Sequence, residues 1–339
     1  MTFGIVFDID GVLMKDGVTI PTAIKALNML HDPETSEPRI PYVFVTNNGG
    51  FSERDKAKKI SMVLKYNIDE DKVMVAHTPM KPLTEKFADK NVLVVARKKE
   101  TAEGLARWYG FKHFTSIQEY VEKRPYLCPA KYSKFWTEGI ANDYGIKEES
   151  VDNSIPFGAV VMFEEPADWG ECIQILTDVL QSADGLITKD HINLASKQIV
   201  ELHVANPDFT YGGEFVLPRY TMGALIKCLS TVFEEVAGYP LTVTYYGKPY
   251  ETTYNYAKQL LNVQLEKLKL SSPRHIYAIG DNPQSDIKGA NQLESEGWVS
   301  ILVRTGIFKG TENDKVNPAK YVVNDVLDAV KLILELEKN

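Results

Sequence analysis

The sequence predicts an α/β protein with a doubly wound, mostly parallel sheet and a second, inserted α/β domain. Three observations carry that expectation. Short β-branched and aromatic runs alternate with longer amphipathic stretches, the order of parallel strands joined by crossover helices. The strand candidates are apolar almost throughout, as strands covered on both faces must be. Finally, the strand ends that carry chemically active residues lie before residue 50 and after residue 245, with a long α/β stretch between them.

Strands are expected at Phe3–Asp8, Tyr42–Thr46, Val92–Ala96, Ala159–Phe163, Thr242–Tyr246, His275–Ile279, Ser300–Val303 and Tyr321–Val323. Helices are expected at Thr22–Leu30, Glu53–Tyr66, Ala102–Tyr109, Trp169–Gln181, Tyr220–Val236, Glu251–Lys267 and Val326–Leu336. The Pro-rich run "HDPETSEPRIP" is a turn before the second strand, and "ANPDFTYGG" over Ala205–Gly213 marks another break. Placing hinges near His77–Pro79 and Ala205–Gly213 gives a core of residues 1–78 and 212–339 around an insertion of residues 79–211. In Glu251–Lys267, Tyr254, Ala257, Leu260 and Leu261 recur at helical spacing, a face for packing on the sheet.

A chain of 339 residues accommodates two domains, and 44% hydrophobic with 25% charged residues is globular composition. The net charge of −8 argues against nucleic acid or an anionic membrane surface as the main partner, while leaving room for a local cationic pocket. Cys128, Cys172 and Cys228 are too few and too scattered for a disulfide framework and are expected as reduced thiols. No apolar run is long enough to suggest a membrane span. No basic or Arg-rich leader precedes the first strand as the sequence is written, so a mature or cytosolic-type chain is expected.

Four stretches point to chemistry. "IVFDIDGVLMKDG" runs an apolar strand into Asp8 and Asp10, with Gly11 allowing a close turn. One carboxylate can serve as nucleophile while its neighbour works as acid and then base; a solvated loop that happens to be acidic is the plain alternative. "PYVFVTNNGGF" ends a strand in Thr46, Asn47 and Asn48, a hydroxyl and amides suited to phosphate oxygens, although Asn-Gly pairs are also ordinary turn chemistry. In "TYYGKPYETTYNYA", Lys248 could pair with a phosphoryl group, restrain Asp8, or stand exposed. "IYAIGDNPQSDIKGAN" brings Asp281 to a strand end with Asp286 five residues on, oxygen ligands for Mg²⁺ or, for Asp286, a helix cap.

In that order, strand-DxDGV, strand-TN, GK before a helix and strand-GDxxxxD, the chain resembles the haloacid dehalogenase superfamily along its whole core. "TNNGG", "GKP" and the long insertion resemble the NagD-like, type IIA branch, with its Rossmann-like core and C2-type cap. Ser285 stands where most of that branch has threonine. With "GDNPQSD", "EEPADWGECIQIL" and "AHTPMK", the chain is most similar to the branch of cat-eye-syndrome critical region protein five and its fungal relatives.

The resemblance implies a Mg²⁺-dependent phosphatase acting on a small phosphorylated metabolite, such as a sugar, glycerol-type or nucleotide ester. It implies Asp8 as nucleophile and Asp10 as acid and base. The metal would be held by Asp8, the Asp10 carbonyl and Asp281, with Asp286 in support. Thr46, Asn47 and Lys248 would hold the phosphoryl oxygens, with Gly11 and Asn48 beside them. From the cap, Asn206 and Asp208 match the segment bordering the site, with an Asx turn as the alternative. Capped members are often homodimers, and members of this branch are often mitochondrial, so the localisation expectation spans mitochondrial and cytoplasmic.

Other residues have plainer readings. His191 and His203 are isolated, and Trp108, Trp136, Trp169, Tyr132 and Phe135 read as packing anchors. Two rival functions remain open: a non-catalytic binding or assembly module on the same core, which Asp8→Asn would separate from an enzyme, and a nucleotide-binding protein. The missing GxGxxG after the first strand weakens the latter.

Overall fold

A computed structural model of the chain describes residues 2–35, 37–128, 155–187, 192–211, 215 and 217–338. Tyr132, Phe135, Trp136 and His191 lie outside the described residues. The chain divides into two compact units: Met1–Pro79 with Gly212–Arg219 and Tyr246–Asn339, and Met80–Tyr211 with Tyr220–Tyr245.

The first unit begins with β1 (Phe3–Phe7), α1 (Ala23–Asn28), β2 (Tyr42–Val45), α2 (Glu53–Leu64) and β3 (Val73–Met74). The five-stranded sheet of the second unit and its main helices are β4 (Asn91–Val95), α3 (Lys99–Tyr109), β5 (Phe114–Ser116), α4 (Ile117–Glu122), β6 (Phe157–Met162), α5 (Trp169–Gln181), β7 (Glu201–Val204), α6 (Met222–Ala237) and β8 (Thr244–Tyr245). The first unit resumes with α7 (Glu251–Lys267), β9 (His275–Gly280), α8 (Lys288–Gln292), β10 (Trp298–Val303), β11 (Tyr321–Val323) and α9 (Val326–Leu336).

In the first unit six parallel strands run in the order β11-β10-β9-β1-β2-β3. Successive side chains of β1 go to opposite faces, and both faces are covered. Ile5 and Phe7 join a core with Leu27 of α1 and Val330 of α9, whereas Val6 joins another with Tyr254 and Leu261 of α7 and Trp298. This two-sided cover is why the strand reads as an unbroken apolar run. The second unit holds a parallel sheet in the order β8-β7-β6-β4-β5, covered by α5 and α6. Among the described residues, no helix is long and apolar enough to cross a membrane.

The division differs from the expected one in its last segment. Tyr220–Tyr245 groups with the second unit, not with residues 212–339. The cause is the apolar face of α6: Met222, Leu225, Leu229 and Phe233 pack with Ile175, Leu176 and Val179 of α5 and with Leu202 and Val204 of β7. β7 was not expected as a strand, because Glu201 and His203 break a four-residue run. His203 is nevertheless buried, its Nε2 3.0 Å from Glu201 Oε2, and burial holds its pKa below the usual histidine value.

Leu229→Ala should therefore cost about 2–5 kcal/mol of stability in the second unit. Amide hydrogen exchange would show faster opening of β6 and β7, with β1 and β9 unchanged. Equal loss of protection in both sheets would contradict the assignment of α6.

Candidate active site

β1 and β9 are neighbours at the point where the strand order reverses, the place where open α/β sheets leave a crevice beyond the carboxyl ends of their strands. Their register pairs Phe7 with Ile279, and Asp8 N–H donates to Ile279 O at 2.9 Å. Asp8 and Asp281 thus emerge from adjacent strand ends.

The chain leaves β9 through the π-helical turn Pro283–Ile287. Asn282 caps that turn by accepting from Gln284 N–H at 3.0 Å, so Asp286 is free of the capping role. Its Oδ2 accepts from Asn282 N–H at 3.0 Å, which folds the carboxylate back against the strand end. Gly280 makes room for it: a Cβ there would lie 2.1 Å from Asp286 Cβ. Buried Tyr254 of α7 donates its hydroxyl to Ser285 O at 3.0 Å and Asp286 O at 2.9 Å, while packing edge-on against Trp298.

Lys248 enters from the turn before α7. Its backbone N–H donates to Asn47 Oδ1 at 2.7 Å, and Asn47 Nδ2 donates to Lys248 O at 2.8 Å, so the turn after β2 and the lysine turn hold each other. The ammonium donates to Asp8 Oδ1 at 2.5 Å, Asp286 Oδ1 at 2.6 Å and Val45 O at 3.1 Å. Of the readings open from the sequence, restraint of Asp8 is the one the geometry shows.

Carboxylate oxygens of Asp8, Asp281 and Asp286 lie within 4.8 Å of one another, all buried. Burial pushes the Asp8 carboxyl well up; Lys248 pulls against that shift, and Asp286 and Asp281 add to it. Burial likewise raises Asp281 to about 7, with Asp286 adding to the rise. Burial works against the Lys248 charge, but Asp286 and Asp8 outweigh it and keep the ammonium protonated. The cluster is therefore short of positive charge. Its oxygen donors fit a hard cation such as Mg²⁺, which Asp8, Asp281 and Asp286 could hold.

A loop after β10 closes the other side, and the sequence reading missed it. Ile307 N–H donates to Asp281 Oδ2 at 2.5 Å, and Thr305 Oγ1 donates to Gly11 O at 2.5 Å. Gly11 has φ +93°, and a Cβ on it would lie 2.5 Å from Asp281 Oδ2. The available signal was "RTGIF", one more apolar strand ending in a hydroxyl and a glycine.

Asp10 lies apart from the buried cluster, its side chain 56% exposed and its Oδ2 3.8 Å from the ammonium of Lys56 on α2. Lys56 also escaped the sequence reading, although it shares the buried face of α2 with Ala57, Ile60 and Leu64. Thr46 is buried, its Oγ1 accepting from Asn48 N–H at 3.1 Å, whereas Asn48 is itself exposed. Asn206 and Asp208 belong to the second unit, where Asp208 N–H donates to Asn206 Oδ1 at 2.8 Å in an Asx turn. Chemically, the first unit presents a restrained carboxylate at a strand end, a solvent-facing carboxylate two residues on, and a cation-deficient oxygen cluster beside them.

Two family models match the chain: haloacid dehalogenase-like hydrolase over residues 5–112, and HAD-hydrolase-like over residues 245–329. A cardiolipin synthase (CMP-forming)/mitochondrial hydrolase fusion protein of Schizosaccharomyces pombe is 33% identical over 96% of this chain, which spans 52% of that protein. A mitochondrial hydrolase of Saccharomyces cerevisiae is 31% identical over 97% of this chain and 94% of its own length. In fold, the chain is similar to NagD of Escherichia coli K-12 (TM-score 0.57, 18% identity, covering 97% of this chain and 98% of the other). It is also similar to a p-nitrophenyl phosphatase of Archaeoglobus fulgidus (TM-score 0.61, 18% identity, covering 97% and 98%).

The tight contact at Gly280 gives a direct check on the oxygen cluster. Gly280→Ala must displace Asp286, and isothermal titration with Mg²⁺ should show affinity falling roughly 10–100-fold. An unchanged dissociation constant would remove Asp286 from the cation site.

Proposed function

The chain belongs to the haloacid dehalogenase-like hydrolases, and on that footing we propose that it is a Mg²⁺-dependent phosphatase working through an aspartyl-phosphate. The observation that carries this reading is the placement of Asp8, held by Lys248 at 2.5 Å at the end of a central strand, with Asp10 two residues on in contact with solvent. A nucleophilic carboxylate must be held in place and ionised; the Lys248 ammonium fixes Asp8 and pulls towards its charged form, against the burial that raises its pKa.

Asp8 attacks phosphorus; the ester P–O bond breaks, and Asp10 delivers a proton to the leaving alcohol. Asp10 then takes a proton from a water that attacks phosphorus in turn, which frees Asp8 and releases inorganic phosphate. Lys248 and the Thr46 hydroxyl would hold the phosphoryl oxygens. Asn47, whose side-chain amide is bonded to the Lys248 backbone, acts by positioning that lysine. Mg²⁺ would be held by Asp8, the Asp10 carbonyl and Asp281, with Asp286 in support, and when bound it supplies positive charge to the transferring group.

All of these residues belong to the first unit, and they address the phosphoryl group and the leaving oxygen, not the rest of the substrate. The substrate is accordingly described as a small phosphorylated metabolite. The Schizosaccharomyces pombe relative, which carries a CMP-forming cardiolipin synthase on the same chain, supports glycerol-type esters among the candidates. Both fungal relatives are named mitochondrial, which supports a mitochondrial location for this chain.

The test is phosphate release from p-nitrophenyl phosphate and a panel of sugar, glycerol and nucleotide monophosphates. Release should vanish with EDTA and return with Mg²⁺, and Asp8→Asn should leave only background. Lys248→Ala should lower kcat by about 10²–10³-fold, the scale of losing one preorganised donor. A native chain that binds Mg²⁺ yet releases nothing across the panel would favour a binding module instead.

A further inference from the structure

We propose that Lys56 is a positioning residue for leaving-group protonation, holding the Asp10 side chain, which carries the proton as a carboxyl group, towards the departing oxygen. This rests on the phosphatase reading above.

Three observations support it. First, Lys56 is 3% exposed, and lysine is almost never so buried without a partner. It lies on the face of α2 that packs inward with Ala57, Ile60 and Leu64, where an apolar side chain would serve packing better. Second, its ammonium makes one ion pair among the described residues, with Asp10 Oδ2 at 3.8 Å. The other lysine of the site, Lys248, is already engaged by Asp8, Asp286 and Val45. The two lysines therefore divide the carboxylates between them: Lys248 restrains the nucleophile, and Lys56 faces the group that handles the proton. Third, Asp10 has no hydrogen bond among the described residues that would orient its half-exposed side chain, so the attraction to the Lys56 charge is what biases its position.

The placement of α2 makes that restraint rigid. Its first turn is capped by Ser52, whose Oγ accepts from Asp55 N–H at 3.1 Å and donates to Asp55 Oδ2 at 2.8 Å. Lys56 N–H donates to Ser52 O at 2.9 Å, so the lysine sits one turn from a fixed end. A group that acts through Asp10 matters in proportion to how much the leaving oxygen needs a proton. An alkoxide needs one, whereas p-nitrophenolate departs without it.

The experiment compares kcat on glycerol phosphate and on p-nitrophenyl phosphate, in the same preparation of the full chain with Mg²⁺. The native chain, Lys56→Met, Lys56→Arg, Asp10→Asn and Lys56→Met/Asp10→Asn are measured. Because each ratio comes from one sample, it is independent of how much of a variant is folded. Lys56→Met should lower kcat on the alkyl ester about 10-fold or more while changing the aryl ester by less than about 2-fold. Lys56→Arg should restore most of the ratio, and the double variant should be no worse than Asp10→Asn alone.

An equal loss on both esters, a rise in KM without a change in the kcat ratio, or additive losses in the double variant would each overturn the proposal. These results are separable from failure of the phosphatase reading. That reading fails if the native chain and Asp8→Asn behave alike. The Lys56 proposal fails alone if Asp8→Asn is dead and the kcat ratio is unmoved.

Discussion

The Lys248 ammonium is the constraint on which the rest of the site depends. Three buried carboxylates within 4.8 Å of one another would repel strongly in a low-dielectric setting, and burial already pushes Asp8 and Asp281 upward. One ammonium bonded to Asp8, Asp286 and the Val45 carbonyl offsets much of that repulsion. Removing one partner from a buried pair generally costs about 3–5 kcal/mol, because the charge left behind has no water to stabilise it. The arrangement is thus poised: stable enough to form, yet still deficient by one positive centre. That residual deficit is what a divalent cation answers.

Close approach by side chains has a steric counterpart. Asp281 and Asp286 reach their positions because Gly280 and Gly306 present no Cβ; one added to Gly306 would lie only 1.8 Å from Asp281 Oδ2. The backbone then supplies donors where side chains are missing, as Ile307 N–H does for Asp281 and Asn282 N–H for Asp286. Glycines and backbone amides together let acidic groups crowd without leaving their oxygens unpaired.

How much of this could be read in the sequence follows from range. Asp8, Thr46, Lys248 and Asp281 were legible because each ends or closely follows an apolar run, a local signal that a strand terminus carries chemistry. The strand-to-helix alternation was legible for the same reason. Lys56 was not, since one lysine on a helix face gives no warning that the face turns inward. The Thr305–Ile307 loop was passed over because it contains no acid or base to draw notice. α6 was assigned to the wrong unit because its apolar face shows that it packs but does not say against which sheet; only the contacts with α5 and β7 decide that. β3 and β5 are two and three residues long, too short for any period to register.

The interrupted chain also sets which contacts of the site are local and which are long-range. Lys248 and Asp286 lie in one continuous segment and are joined through α7, whose Tyr254 grips the turn that carries Asp286. Asp8 comes from the far side of the interruption, delivered by the pairing of β1 with β9, a contact of very high sequence separation. Such pairings are slow to form because loop closure must precede any return from the contact. The crowding of three carboxylates is complete only where β1 is paired with β9. Placing the ammonium and Asp286 on the same segment gives one carboxylate of the cluster a counter-charge that is close in sequence, whereas the Lys248–Asp8 contact depends on the long-range pairing.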